Sequence, residues 1–407
     1  MTRARVIAAA VGLAAARFLH AAAAPAPRAV DVKAADGTIL KGTFFAAAAP
    51  GPGAILFHQS NRNRDSWDGV ARHLASAGIY VLTLDMRGHG ETGGAYDKTD
   101  RERAKQTRLG DLDAAFAFLA SQPGVDRAVV GFGGAGVEGV DNAVRTAQRH
   151  PGQAKSLVLM SGETLRDGIE FLKEASRLPA LFVVSDDDEY PPTVEAVELM
   201  YVTDGSPSKR LIHYAAAQEA PWLWYEPLDV GRVPASGGHG TDLFAGHPDL
   251  PGMIVQWFVT TLIKTPGRAP AETVACAAAL DEMRAPGGVA RVRQRLLEAR
   301  KADPEAQLFP EITASIIGFD HQRAKEPKAA VEVLELVLLA YPTAAAHENL
   351  SEAYLDDGQK ELARQHAETA LAMLDSHAAP ASSWSDTEQF RGEIRRGAQD
   401  VLSKTGQ

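Results

Sequence analysis

Short apolar segments alternate with helical segments of about 10 to 15 residues between residues 28 and 264. This alternation predicts a mostly parallel sheet with helices on both faces, because parallel strands need crossover connections and are buried on both sides. The segments with the composition of buried strands are 53–58, 79–85, 128–130, 156–160, 180–184 and 210–214. The fold class expected for this part of the chain is therefore α/β.

Local signals support this interpretation at the start of the region. Residues 29–45 predict a hairpin, with Asp36 and Gly37 at the turn. The next predicted helix lies between the first two buried strands and ends at Gly78. Its apolar face comprises Trp67, Val70, Ala71, Leu74 and Ala75.

Strand signals stop after residue 264, and the rest of the chain predicts helices only. The boundary lies at Pro266–Pro270. A pattern of small and apolar residues then recurs after 33 residues: Ile317, Gly318, His321, Ala330, Leu334 and Val337 correspond to Leu350, Ser351, Tyr354, Ala363, Ala367 and Ala370. This spacing resembles the tetratricopeptide repeat, in which paired helices stack on their neighbours. We therefore predict a helical linker over 265–303 and an all-α, tetratricopeptide-like domain over 304–407.

Composition excludes several classes of protein. The formal net charge of −10 leaves no basic stripe for a nucleic acid, so no nucleic-acid partner is expected. The single cysteine, Cys276, can form neither an internal disulfide nor a cysteine-based zinc site. No metal and no other cofactor is predicted.

The first 24 residues have the layout of a secretory signal peptide. Arg3 and Arg5 precede an apolar run, and small residues follow as far as Ala24. We therefore expect an exported protein, periplasmic or secreted. No later segment is apolar enough to span a membrane, so no transmembrane anchor is expected once the signal is removed.

Several motifs in the first region resemble those of the α/β-hydrolase family, in particular dienelactone hydrolases. Residues 55–94 resemble the family's strand, histidine-containing oxyanion loop, helix, strand and Asp-x-Arg-Gly-x-Gly turn. Residues 178–192 resemble the loop that presents the acid of the catalytic triad, and "GGHGTDLF" resembles the loop of the triad histidine. The resemblance implies an α/β-hydrolase fold over 28–264.

The resemblance also assigns candidate catalytic residues. His239 lies between two glycines and corresponds to the triad histidine, which acts as a general base. The triad acid, which orients and charges the imidazole, corresponds to Asp188 or, as a second choice, to Asp187. The backbone amide that helps to hold the oxyanion corresponds to Gln59, with His58 beside it as a residue of the substrate pocket or a support of the loop.

An insertion before the histidine loop is rich in aromatic residues. Trp222, Trp224 and Tyr225 lie close together in a segment of more than twenty residues between "LIHY" and "GGHG". They are predicted to form a lid or one wall of an apolar pocket, or else to pack the insertion onto the rest of the protein.

The chain departs from the family where the nucleophile is expected. The family presents a serine at the tip of a sharp strand-to-helix turn, yet residues 131–139 contain no Ser, Thr, Cys or Asp. Counting from the preceding strand places the tip at Gly133 or Gly134, and counting back from the following helix places it at Gly136 or Val137. Glu138 is the one reactive side chain nearby, as a substitute carboxylate.

Two functions remain open from the sequence. The first is a degenerate hydrolase that binds a small acyl or ester-type ligand, with a peptide or protein partner on the helical repeats. The second is an active hydrolase in which His239, with Asp188, activates water directly, or in which Glu138 assists.

Overall fold

The computed structural model describes residues 24–186, 188–190, 192–214, 238–377, 379–384, 386 and 388–406. The predicted signal peptide therefore lies almost entirely outside the described residues. Within these ranges, the first part of the chain forms one eight-stranded sheet. Its strands are β1 (Arg28–Lys33), β2 (Ile39–Phe45), β3 (Gly51–Phe57), β4 (Tyr80–Leu84), β5 (Val125–Ala135), β6 (Ala154–Met160), β7 (Ala180–Ser185) and β8 (Lys209–Tyr214).

The strand order is β1-β2-β4-β3-β5-β6-β7-β8. β2 runs antiparallel to both of its neighbours, and the remaining pairs are parallel. This is an α/β-hydrolase fold, and the predicted fold class is confirmed. The hairpin turn also lies where it was predicted, with Gly37 in the left-handed region at φ 89°.

Helices cover both faces of the sheet. Those of the α/β region are α1 (Asp68–Ser76), α2 (Arg101–Ser121), α3 (Gly136–Arg149), α4 (Arg166–Glu174), α5 (Pro192–Thr203), α6 (Leu243–Gly246) and α7 (Leu250–Phe258), the last continuing as a π-helical turn over Val259–Lys264. One face packs against α1 and α7, with Trp67 fully buried there, and the other packs against α2, α3 and α5. The apolar face predicted for α1 is the face that is buried.

The rest of the chain is helical, as predicted. Its helices are α8 (Ala271–Met283), α9 (Gly288–Ala302), α10 (Glu311–Arg323), α11 (Pro327–Ala340), α12 (Ala344–Asp356), α13 (Lys360–Ser376) and α14 (Glu388–Thr405). The recurring residues fall on α10 and α11 in the first unit and on α12 and α13 in the second, and all but His321 are buried. Gly318 allows close helix contact, because a β-carbon there would lie 2.7 Å from Leu334.

The hydrophobic core is continuous between the two regions. The same cluster that holds Phe182 of β7 extends through Leu280 of α8 and Leu296 of α9 to Val337 of α11. The segment predicted as a helical linker therefore packs on both sides. None of the helices in the described ranges is long and apolar enough to cross a membrane.

One strand is longer than the sequence indicated. Residues 128–130 were predicted as a strand, whereas β5 extends from Val125 to Ala135. Its second half consists mainly of glycines, which have low strand propensity but are required here by close packing. A β-carbon on Gly131 would lie 2.7 Å from the ring of Phe258, and one on Gly133 would lie 2.7 Å from Leu56.

A buried ion pair fixes the turn after β4. The guanidinium of Arg87 donates two hydrogen bonds of 2.6 Å to Asp111 of α2, whose carboxylate is fully buried. Asp85 accepts hydrogen bonds from the backbone amides of Arg64 and Glu91, at 2.8 and 2.9 Å. Both residues therefore brace the strand end, each with a partner from another segment.

We expect Arg87→Leu to lower the free energy of unfolding by about 3–5 kcal/mol, because it leaves the buried Asp111 carboxylate without its charged partner. Lys41→Leu is the matched control, since Lys41 forms an exposed pair with Asp31, and its effect should stay within about 1 kcal/mol. Chemical denaturation measures both variants. Equal losses for the two would contradict this account of the buried pair.

Candidate functional site

The turn between β5 and α3 has Gly136 at its tip. Gly136 is the first residue of α3 and has φ 64°, in the left-handed region that favours glycine. Gly133 and Gly134, the positions obtained by counting from the strand, lie inside β5 and pair with Leu56 and Phe57 of β3. That count was wrong because β5 is longer than predicted. Val137 is the next helical residue and is 42% exposed.

Close packing at this turn excludes larger residues at its glycines. A β-carbon on Gly134 would lie 2.0 Å from the carbonyl oxygen of Gly139, and one on Gly139 would lie 2.7 Å from the carbonyl oxygen of Phe57. The first turn of α3 is therefore pressed against the end of β5. Its amides have no intrahelical acceptors, because the first four N–H groups of any helix lack them.

His239 and Asp188 come together beside this turn. Nδ1 of His239 lies 2.9 Å from Oδ1 of Asp188, and both side chains are buried. A carboxylate can only accept, so Nδ1 carries the proton and Nε2 is left as the reactive nitrogen. A β-carbon built on Gly136 would lie 3.0 Å from that Nε2. The imidazole therefore faces the tip of the turn.

The loop after β7 holds Asp188 in place. Oδ1 of Asp188 also accepts a hydrogen bond of 2.9 Å from the amide of Tyr190, whose ring centroid lies 5.7 Å from that of His239. Burial lowers the pKa of His239, but the hydrogen bond and charge of Asp188 outweigh it, with further contributions from Glu189 and Asp242. The pKa of His239 is therefore raised above 6.5.

The side chain of Gln59 ties the histidine turn to the loop after β3. Its Nε2 donates to the carbonyl oxygen of His239 at 2.7 Å, and its Oε1 accepts from the amide and hydroxyl of Thr241 at 2.8 and 2.9 Å. Gln59 is fully buried. A β-carbon on Gly136 would lie 2.5 Å from Gln59 Cβ, so Gln59 also closes on the tip of the turn. The sequence carried no signal for this second role.

His58 supports the loop from behind. Its Nε2 accepts a hydrogen bond of 3.1 Å from the amide of Met86, so its Nδ1 is protonated and donates to the carbonyl oxygen of Gln59 at 2.7 Å. Burial lowers the pKa of His58, and an Nε2 that accepts a hydrogen bond requires the neutral ring. Both nitrogens are thus committed to backbone groups, and the prediction that His58 lines a substrate pocket has no support from these contacts.

The other predicted residues lie apart from this pair or outside the described ranges. Glu138 is in the first turn of α3, half exposed, with its carboxylate 3.9 Å from Nε2 of His89. Glu138 and His239 are both described, and no hydrogen bond or ion pair joins them. Outside the described residues lie Asp187, Trp222, Trp224 and Tyr225.

The sequence also missed a second histidine–aspartate pair in the same region. Nε2 of His213, near the end of β8, lies 2.5 Å from Oδ1 of Asp186, and its Nδ1 lies 3.6 Å from Glu198 of α5. Two acids of the triplet 186–188 therefore serve different histidines. In the described parts of the chain, no three metal-ligating side chains converge on one point.

Comparison with known proteins yields weak sequence similarity and broad similarity of fold. No family model matches the chain. The thiohydrolase aneE of Aspergillus aculeatus is 29% identical over 113 residues, which is 27% of this chain and 34% of that protein. The chain therefore spans about a third of the length of that relative.

Solved structures similar to the chain cover its first part. An esterase of Pyrococcus furiosus is 16% identical, covers 58% of this chain and 93% of its own, and has a TM-score of 0.44. A dienelactone hydrolase of Anabaena variabilis is 22% identical, covers 58% and 99%, and has a TM-score of 0.41. The fold assignment itself rests on the strand order and the helix positions described above.

We expect Asp188→Asn to lower the pKa of His239, because the neutral amide no longer favours the imidazolium while burial still disfavours it. NMR titration of the imidazole measures this directly. Asp242→Asn is the control, since Asp242 contributes less to the shift, and its effect should be smaller. A His239 pKa unchanged in Asp188→Asn would contradict the pairing.

Proposed function

We propose that this protein is a degenerate hydrolase that has lost covalent catalysis and binds an acyl or ester-type ligand beside His239. The observation that carries the proposal is Gly136, which stands at the tip of the turn where the resembling enzymes carry a nucleophilic serine. The residue at the tip has no side chain, and a β-carbon added to Gly136 would lie 2.5 Å from Cβ of Gln59.

The retained groups around the tip favour ligand binding. The amide of Val137 lies in the first turn of α3, where amides lack intrahelical acceptors and the helix dipole favours negative charge. We propose that the backbone amides of Val137 and Gln59 donate hydrogen bonds to a carbonyl oxygen of the ligand. His239 is proposed to donate or accept a hydrogen bond at the ligand.

A second candidate is a hydrolase that activates water. The 2.9 Å contact between His239 and Asp188 favours it, because an oriented imidazole whose Nε2 faces the tip can remove a proton from water. Groups that hold an oxyanion can retain about 10³–10⁴-fold acceleration over water without a nucleophile. Assistance by Glu138 remains a variant of this candidate, from its position on the first turn of α3.

Short p-nitrophenyl esters and a fluorophosphonate probe separate the two candidates. For the degenerate hydrolase we expect no covalent labelling, and ester turnover equal to that of His239→Ala. Turnover well above that of His239→Ala would establish the water-activating candidate in its place. Because the pKa of His239 is raised, that activity would increase as the pH rises through this pKa and the imidazole loses its proton.

Gly136→Ser extends the same experiment to the tip of the turn. We expect this variant to remain unlabelled by the fluorophosphonate, because the added β-carbon meets Cβ and Cα of Gln59 at 2.5 and 3.3 Å. Neither atom is the free end of a flexible side chain. Rapid labelling of Gly136→Ser would contradict this, because it would show that a serine at position 136 can be accommodated and can react with the probe.

We also propose a peptide partner for the helical region, whose paired helices α10–α11 and α12–α13 we interpret as tetratricopeptide-like. A groove of about 800 Å³ supports this, lined by α8, residues 307–312 and Tyr341. Burial raises the pKa of Cys276 in this groove to about 11, which disfavours the reactive thiolate.

Blocking the groove tests the peptide partner. Ala275 and Ala278 line it from α8 and are exposed, so Ala275→Trp with Ala278→Trp should abolish capture of a partner from a lysate of the host cell. Ala302→Trp, at an exposed residue at the end of α9, is the control and should capture normally. Equal capture by both proteins would exclude the groove as the binding surface.

Export remains a further proposal, tested by N-terminal sequencing of the mature protein.

A further inference from the structure

A second cavity, of about 620 Å³, lies between the beginnings of α2 and α4 and the side of α3. Glu138, two residues after Gly136 in α3, lines it. Met86 lines it as well, and the amide of Met86 donates to His58 of the loop that carries Gln59. The cavity therefore adjoins the first turn of α3 and shares Met86 with the loop of the candidate site.

Basic side chains outnumber acidic ones around this cavity. The basic ones come from α2 and the residues before it, from α3 and from the start of α4: Lys98, Arg101, Lys105, Arg108, Arg145 and Arg166. The acidic ones are Asp97, Glu102, Glu138 and Asp167. In the whole chain the balance is the reverse, with 52 acidic and 42 basic residues. The cavity is thus locally positive on an acidic protein.

Some of these cations already have acidic partners. Lys105 and Arg145 converge on Oδ2 of Asp167, at 3.2 and 3.3 Å. Arg145 and Arg108 also reach the buried Asp141, at 3.2 and 3.4 Å.

Three cations remain without such a partner. Within the described residues, Lys98, Arg101 and Arg166 form no ion pair. The start of α4 at Arg166 has no side-chain cap, so its first amides add partial positive charge at the same place. A ligand that brings one negative charge would complete this arrangement.

Asn142 of α3 adds an unfilled hydrogen-bonding group. It lines the cavity and is 2% exposed, and its Oδ1 is buried with no donor among the described residues. A buried amide oxygen without a donor is costly, so the site favours a ligand that carries a hydroxyl or an amide N–H. Leu165, 59% exposed, and Tyr96 supply an apolar wall for the rest of the ligand.

We propose that this cavity binds the carboxylate of an acyl ligand that also carries a hydrogen-bond donor. The inference deepens the proposed function by naming the class of ligand that reaches the His239 site. A monoanion fits better than a phosphate dianion, because four acidic side chains share the cavity and repel the additional charge. The planar guanidinium of arginine also matches a carboxylate in a two-point contact.

The test is direct binding, which needs no turnover. The probes are 4-hydroxybenzoate, its neutral methyl ester and phenyl phosphate, titrated into the full-length protein by calorimetry or NMR. The test variant is Arg101→Glu with Arg166→Glu. The control is Arg127→Glu with Arg177→Glu, which changes the net charge equally at exposed arginines outside the cavity that form no ion pair with other described residues.

We expect saturable binding of 4-hydroxybenzoate that weakens with salt, is about tenfold weaker in the test variant, and is unchanged in the control. The uncharged methyl ester should not displace 4-hydroxybenzoate from this cavity, and any binding of it beside His239 should be equal in the test and control variants. Equal affinity of 4-hydroxybenzoate for the test and control variants, or its displacement by the methyl ester, would overturn the proposal. Tighter binding of phenyl phosphate would overturn the assignment to a carboxylate.

The same titration with His239→Ala separates this inference from the proposed function. Suppose that His239→Ala still binds 4-hydroxybenzoate, and that the unmodified protein binds no ester beside His239. The proposed function would then be wrong, and the proposal of a carboxylate-binding cavity would stand. Loss of binding in Arg101→Glu with Arg166→Glu, together with intact ester binding at His239, would support both.

Discussion

The contact of Gln59 with two turns determines the shape of the candidate site. Its amide group bonds to His239 and Thr241, while its Cβ approaches the place of a β-carbon on Gly136 to 2.5 Å. One buried side chain therefore holds the histidine turn in position and leaves room only for glycine at the tip after β5. The orientation of the imidazole and the lack of a side chain at the tip have a common structural cause.

The surrounding sheet makes this arrangement possible. Parallel strands end at one edge, so the residues after β3, β5 and β7 meet there although they are far apart in the chain. The loop after β7 supplies an acid to each of two histidines, with Asp188 at His239 and Asp186 at His213. On the other side of α3, a positive cavity adjoins the same edge. The chemistry of the protein is thus concentrated where the strands end.

Much of the fold was predictable, because inner strands of the sheet such as β4, β6 and β7 have the apolar composition of segments buried on both faces. The hairpin turn at Gly37 and the buried face of α1 follow from equally local patterns. The length of β5 does not follow from such a pattern, since a run of glycines indicates a turn. Only the packing of Phe258 and Leu56 against these glycines shows why they belong to the strand. The pairing of His239 with Asp188 was predicted from the order of motifs, whereas the pairing of His213 with Asp186 had no motif to indicate it.

By itself, the sequence determined the class of fold and the helical second part, because composition and periodicity reflect which segments are buried. It also determined that residues 131–139 contain no Ser, Thr, Cys or Asp. Only the tertiary structure decided which glycine is the tip. It also decided what Gln59 contacts and that Arg101 and Arg166, which form no ion pair with other described residues, line one cavity. These depend on distances between segments remote in the chain, such as the 2.7 Å between Gln59 and His239, 180 residues apart.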